Sequence, residues 1–280
     1  MLLQILTNMG FRYVGYRVLH LIRTKFGWYE IISPKIVKPI VFLDYAQWLE
    51  NKKEYFFDNA VAIEMDVLLS EDEKRKVSET ASKIKKGMFL FFNSEEFSLG
   101  NNYNWVTNPL NGYVYPSNLH WSKINDYDSK SGDIKFVWEK SRFSFLYDLI
   151  RDEKINGNEH RDFVLLQISD WIDANSVNQG PNWKCSQEIS IRVLNWIFAL
   201  YYYSDKGHMN EELWQKILNS IFQQMLHVQK HINFSRIAVR NNHAITETLT
   251  LYIVGLLFPW LDKTGEWKKK GKQWFEQEVE

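Results

Sequence analysis

From Asp133 to the end of the chain, apolar residues recur at helical spacing, which predicts helices opening near residues 135, 159, 186, 210, 242 and 263. The connections between them are short and hold Gly, Asn, Ser or Asp, as helical hairpins require. Alternate helices differ in kind. Those from 159, 210 and 263 are amphipathic and charged, as in Glu211-Glu212-Leu213-Trp214-Gln215-Lys216-Ile217-Leu218. Those from 135, 186 and 242 are apolar around most of their circumference and keep one narrow polar stripe. Lys135, Glu139 and Arg142 share a face of the first, and Glu188, Arg192 and Asn195 share a face of the second. His243, Thr246, Glu247 and Thr250 line one side of the third.

A helix with apolar flanks and a polar stripe packs on both sides and looks into a wet cavity. The alternation therefore predicts a mainly α fold, a toroid of helical hairpins whose stripes line a central groove. The competing reading makes Lys135/Glu139 and Glu188/Arg192 surface ion pairs, each worth roughly a few tenths of a kcal/mol. Repetition of the stripe on every second helix favours the cavity.

The first part of the chain has another texture. Residues 1 to about 60 are aromatic-rich, contain Pro34 and Pro39, and predict one helix followed by an irregular wrap. Ser70-Glu71-Asp72-Glu73 is a capping box opening a charged helix that Gly87 stops, and Met88 to Phe92 reads as a short strand. Residues 93 to 131 carry turn residues interspersed with Trp105, Tyr113, Tyr115 and Trp121. The division this suggests is a region 1–130 of helix, wrap and loop packing on a helical-hairpin unit 131–280.

Composition narrows the function classes. The 280 residues carry 34 basic and 34 acidic side chains, and zero formal net charge argues against a nucleic-acid binder that works by phosphate neutralisation. The 12 Trp, 14 Tyr and 18 Phe suit both a large core and a carbohydrate surface, and core packing is the default. The single cysteine, Cys185, excludes an internal disulfide and a metal site built on several cysteines. The seven histidines form no HExxH motif. His227 and His231 stand four apart, a spacing that suits metal ligands, but their helix reads as an outer one and they are expected at the surface. Neither a metal nor a cofactor is expected.

Met1 to Gly10 lacks a basic n-region before its apolar run and a small-residue cleavage site. The expected location is therefore cytoplasmic, with the periplasm as the lesser alternative. Arg12, Arg17, Arg23 and Lys25 are spaced as on an amphipathic helix, for which packing on the protein body is expected ahead of lying on a membrane. The longest apolar run, Leu251 to Phe258, is too short to span a bilayer and stops at Pro259.

Candidate chemistry concentrates at Asn241-Asn242-His243, which opens the helix from 242. Unpaired backbone N–H groups and the positive end of the helix dipole favour an anion there. Enzymes that remove a proton from the carbon next to a carboxylate need such a place, because charge builds up on that carboxylate. The plainer reading makes Asn241 or Asn242 an N-cap and His243 a hydrogen-bonded core residue.

Several segments, taken in order, resemble the heparinase II/III-like polysaccharide lyases. They are Asp133-Ile134-Lys135-Phe136-Val137-Trp138-Glu139-Lys140-Ser141-Arg142-Phe143, Asn182-Trp183 with Glu188-Ile189-Ser190-Ile191-Arg192, and Asn241-Asn242-His243 with Glu247. Asn104-Trp105 to Pro109 and His120-Trp121 also fit, so the likeness runs from about residue 85 to the end. Gly10-Phe11-Arg12-Tyr13 to Arg17 is similar to variants without a secretion signal, which bacteria carry near genes for capsule or O-antigen polysaccharide.

The resemblance implies an incomplete (α/α) toroid, followed in the family by antiparallel β-sheet domains. It also implies β-elimination on uronate-containing, glycosaminoglycan-like polysaccharide. By that resemblance Asn242 donates to the substrate carboxylate, and His243 assists there or transfers a proton. Arg142 and Arg192 hold acidic groups, oriented by Glu139 and Glu188, and Asn241 and Glu247 complete the substrate-facing set. Trp138 and Trp183 offer stacking faces, with buried packing as the alternative; for the arginines the alternative is a structural Glu–Arg network between helices. The hollow in front of His243 is thus expected to be lined by guanidinium groups.

The family's catalytic tyrosine falls beyond Glu280. The chain is therefore expected to be truncated, itself or in its gene, or a piece of a longer protein, with little or no activity alone and with an acidic polysaccharide and a missing C-terminal β-sheet domain as partners. Three rivals stand beside the lyase: a scaffold that binds acidic glycan without cleaving it, a helical-repeat interaction protein, and a hydrolase using Glu139, Glu188 and Glu247.

Overall fold

A computed structural model describes residues 2–54, 69–125, 127–262 and 264–280, and among them the chain is mainly helical. The end of the expected N-terminal wrap, residues 55–60, lies outside the described residues. Helix α1 (Leu2–Lys25) bends at Gly10, which takes φ 80° and ψ 162°, and the short α2 (Trp28–Ile32) follows. Residues 33–44 then run as an irregular strap. Its backbone finds partners in side chains: Ile40 N donates to Asn219 Oδ1 at 2.8 Å and Phe42 N to Gln215 Oε1 at 2.9 Å. Asp44 ends the strap by capping α3 (Tyr45–Asn51).

The capping box forms. The Ser70 side chain and the Glu73 carboxylate bond each other's backbone N–H at the start of α4 (Glu71–Lys85), whose acidic first turn and basic last turn suit the helix dipole. Strands β1 (Met88–Phe91) and β2 (Glu95–Ser98) make an antiparallel hairpin that buries Phe89 and Phe91. A 3₁₀ turn at Trp121–Lys123 and the small β3 (Tyr127–Asp128)–β4 (Gly132–Asp133) pair lead into the helical part.

The helix predicted from 135 is two helices, α5 (Lys135–Ser141) and α6 (Leu146–Asn156). They are separated at Phe143, a fully buried side chain on a backbone with φ 62°. The rest follow close to the predicted starts: α7 (Arg161–Ala174), α8 (Ser186–Tyr203), α9 (Glu211–Asn233), α10 (Asn242–Leu257) and α11 (Glu266–Val279). Helix α8 packs on α5, α7, α9 and α10 and is buried along nearly its whole length. One hydrophobic core runs from Tyr29 through Tyr45 and Trp48 to Trp196, Trp214 and Trp267, so it crosses position 130 without interruption. Burial of this continuous apolar surface is what holds the N-terminal segments against the helices.

Candidate functional site

At its C-terminal end α9 widens into a π turn, Phe234–Val239, in which Arg240 N bonds Ser235 O at 2.7 Å. Arg240, at φ 55°, closes that turn, and the Asn241 side chain accepts from His243 N at 2.9 Å to start α10. A π turn adds a residue to the helical ladder and re-aims the side chains around it. Here it sets Phe234 and Ser235 on the same cavity wall as His243 and Glu247 of α10. The N-terminus of α8 (Lys184, Cys185, Ser186), the start of α5 (Ile134, Lys135, Trp138), Trp121, and His20 and Tyr29 from α1 and α2 close the other sides. The cavity holds about 460 Å³.

Imidazoles dominate one wall. His20 Nδ1 lies 2.6 Å from the Tyr29 hydroxyl, His231 Nε2 3.1 Å from Ser33 Oγ, and His227 Nδ1 2.9 Å from Asn178 Oδ1. The His227 and His231 rings are 4.5 Å apart, and Trp121 packs edge-on against both. Burial pulls His20 down to about 4, His231 to about 3, and His227 well below the usual imidazole range, so all three are neutral at pH 7. The expectation of surface positions for His227 and His231 is corrected. Their outward-looking helix face is covered by Ser33, Asn178 and Trp121, which arrive from far away in sequence.

On α10, His243 and Glu247 share a face, as the stripe predicted. Burial pushes the Glu247 carboxyl up to about 8, against a hydrogen bond with Ser235 Oγ at 2.7 Å that works the other way. Burial lowers His243, with the Glu188 carboxylate opposing. Side by side they present an acid held protonated and a base held neutral. Cys185 Sγ is 3.9 Å from His243 Nδ1, but burial, then Glu188, push the thiol up to about 12, so the pair does not hold a thiolate nucleophile. Lys135 is exposed and lies 3.8 Å from Asp133, and Lys184 is half-buried. Among the described residues no group of three or more His, Cys, Asp and Glu is placed to hold a metal ion.

Of the residues picked from sequence, Trp138, His243 and Glu247 meet at this cavity; the Trp138 indole N–H bonds the Pro181 carbonyl at 2.9 Å. Asn241 is the N-cap, and Asn242 is exposed and does not line the cavity. Arg142 is bidentate to Glu188, at 2.6 and 2.8 Å, and its remaining nitrogen bonds Glu139, which accepts from Phe92 N. The guanidinium is thus a staple between α5 and α8. Asn195 tightens it by donating to the Arg142 carbonyl at 2.7 Å.

Arg192 is fully buried. It stacks 4.0 Å from Trp171 and donates to Gln224 Oε1 and the Asn182 carbonyl, and burial pulls it down to about 9. Trp183 is buried too, bonding the Asn175 carbonyl. The expectation of substrate contact for Arg192 and Trp183 therefore gives way to core packing, because both side chains are sealed from solvent. The hollow is lined by imidazoles and lysines where guanidinium groups were expected.

Sequence reasoning missed His20, Lys184, Cys185 and Ser235 as cavity residues. The spacing of His227 and His231 was a usable signal that the amphipathic pattern of their helix obscured.

A family model described as Heparinase II/III N-terminus matches residues 41–280 of the chain. No curated protein and no solved structure gives a significant match.

Proposed function

The chain belongs to the heparinase II/III N-terminus family, and from that premise we propose that it is the helical domain of a lyase cleaving uronate-containing polysaccharide by β-elimination, with the cavity at His243 and Glu247 receiving the sugar. Elimination next to a carboxylate needs that carboxylate neutralised, a base for the C5 proton, and a proton for the departing C4 oxygen. The observation that carries the reading is the pair on one face of α10: a carboxyl pushed up to about 8 beside an imidazole pulled below its ordinary value. Protonated Glu247 donates a hydrogen bond to a carboxylate without repelling it, and neutral His243 has a lone pair to take the C5 proton, which the resulting imidazolium returns to the departing C4 oxygen.

Lys135 and Lys184 raise the positive potential toward the mouth, and Trp138 gives an aromatic wall to a sugar ring. Asn242, on the exposed first turn of α10, acts on polymer lying outside the cavity. Closure of the helices into a toroid, a C-terminal β-sheet domain, a link to capsule or O-antigen polysaccharide and a cytoplasmic location form part of the same proposal.

The outward placement of Asn242 favours one second reading, a scaffold that holds acidic glycan without cleaving it. The test is calorimetric titration with uronate oligosaccharides, together with ultraviolet detection of the conjugated C=C bond that elimination leaves. The lyase reading expects binding that weakens in His243→Ala and Trp138→Ala. Binding indifferent to both substitutions removes the cavity from the reading. Tight binding with no unsaturated product from any longer form containing this domain selects the scaffold.

A further inference from the structure

Residues 1–40 lie outside the family match. After the bend at Gly10, α1 turns its inner side to the protein: His20 packs on Phe234 at 4.5 Å between ring centroids, and the Arg17 guanidinium lies 5.6 Å from the same ring. The opposite side carries Phe11, Val18, Ile22 and Phe26, which a 100° step per residue places within one arc. These side chains are bare, at 83, 50, 48 and 77 % exposure. Arg12 and Lys25, both exposed, fall at the two edges of that arc. Trp28, at the start of α2, is 46 % exposed.

Charge follows the same division. Residues 1–43 hold six Lys and Arg (Arg12, Arg17, Arg23, Lys25, Lys35, Lys38) and one acidic side chain, Glu30, in a chain with 34 of each sign. Beside the helix a second cavity of about 240 Å³ is lined by Arg12, Tyr13, Arg236 and Arg240. Arg236 is already engaged by Glu278 at 2.8 Å, which leaves Arg12 and Arg240 as the arginines that give this cavity its positive character.

We propose that α1 docks the protein on an anionic membrane surface, with Phe11, Val18, Ile22 and Phe26 in the acyl boundary and Arg12, Lys25 and the arginine-lined cavity at the phosphate level. An apolar arc edged by cations is the form of a helix lying in the plane of an interface, and no helix among the described residues is long and apolar enough to cross a membrane. The basic edges decide the occupant. A second copy of this face would bring the same cations together, whereas anionic headgroups neutralise them. The same helix contributes His20 to the large cavity, so docking holds that cavity close to the lipid surface.

Flotation of the full chain with vesicles tests this. The chain is expected to rise with equimolar phosphatidylglycerol and phosphatidylcholine, to stay behind with phosphatidylcholine alone, and to be released as salt is raised. Phe11→Ser with Phe26→Ser changes two solvent-exposed positions, so the fold holds, and it is expected to lower vesicle affinity about tenfold or more. Arg12→Gln and Lys25→Gln are each expected to lower it about fivefold. Failure of the wild type to bind anionic vesicles at low salt overturns the proposal, and so does unchanged binding by the double serine variant. Concentration-dependent dimerisation that this variant abolishes, without vesicle binding, overturns it in favour of self-association.

Discussion

Ser235 Oγ lies 2.7 Å from Glu247 Oε2 while also sitting 2.9 Å from the Ile232 carbonyl oxygen. A hydroxyl has one proton and can donate to only one of these acceptors. The bond that Ser235 donates to Glu247 favours the carboxylate, burial outweighs it, and the 2 % exposure of Glu247 agrees with an acid held neutral.

That agreement fixes a pH dependence. Glu247 titrates at about 8 in the folded chain and near about 4.3 in an unfolded one. The folded state keeps a proton that the unfolded state releases. Its contribution to stability is fully present below about pH 4 and is lost as pH rises to about 8. Glu247→Gln retains a carbonyl oxygen to accept from Ser235 and cannot ionise. It is expected to flatten this part of the stability profile and to gain roughly 2–4 kcal/mol at pH 7. Urea unfolding at several pH values measures both, and an unchanged slope would show that Glu247 is ionised in the fold.

The crossing of α10 and α11 depends on two glycines. A Cβ on Gly255 would stand 2.3 Å from Lys268 N, and one on Gly271 would stand 2.5 Å from Tyr252 N. Both obstacles are backbone, which cannot rotate aside, so the helices would have to separate. Alanine gains about 1 kcal/mol of helix propensity over glycine, but forcing apart a packed interface costs about 1–3 kcal/mol or more. Gly255→Ala and Gly271→Ala are each expected to lower the thermal midpoint; a raised midpoint in either would mean that the crossing has room for a methyl group.

Lys140 is 5 % exposed, with its ammonium 4.1 Å from the Trp105 ring centroid, 4.7 Å from Tyr103 and 4.8 Å from Phe89. Burial pulls it down to about 8, with Asp170 opposing. The sign is opposite to a salt-bridged lysine. The unfolded chain holds this proton to about pH 10.4, so stability is expected to rise between about pH 8 and 10 as the folded amine becomes neutral. Cation–π attraction from the three rings offsets part of the burial cost. Lys140→Met is expected to remove the rise and to be neutral or stabilising by about 1–2 kcal/mol at pH 7. A marked loss of stability at pH 7 would show that the rings more than compensate.

The helices were legible because their signals are local. The Ser70–Glu73 box and the Asn241 cap depend on residues three or fewer positions apart, and the starts of α5, α8 and α10 fall where the periodicity put them. The misses are tertiary. Nothing local marks the left-handed Phe143 that splits α5 from α6, since its conformation is held by contacts with Trp105 and Trp196. The stripe on α8 was read correctly as polar, but Arg192 meets Trp171 and Gln224 where a wet groove was expected. His227 and His231 looked outward on their own helix until Ser33, Asn178 and Trp121 covered them. Charge pattern locates a polar face; only packing decides whether it meets water or another polar face.

The same distinction governs Arg142, for which substrate contact and structural stapling predict different measurements. Glu188 is 5 % exposed and accepts both arms of the Arg142 fork at 2.6 and 2.8 Å. Arg142→Ala would leave that carboxylate without its compensating charge, at a cost of about 3–5 kcal/mol. Arg142→Lys offers a point charge in place of a planar fork and recovers only part of the loss. Removing both charges, as in Arg142→Met with Glu188→Met, is expected to restore more stability than either single change leaves, because nothing ionised then remains unpaired at that position. Urea midpoints for the four variants, including Glu188→Met alone, read out the staple. Uronate titration of whichever variants stay folded reads out the alternative: a substrate contact would weaken binding with stability intact, whereas a staple lowers stability and leaves the binding constant of the folded fraction near that of the wild type.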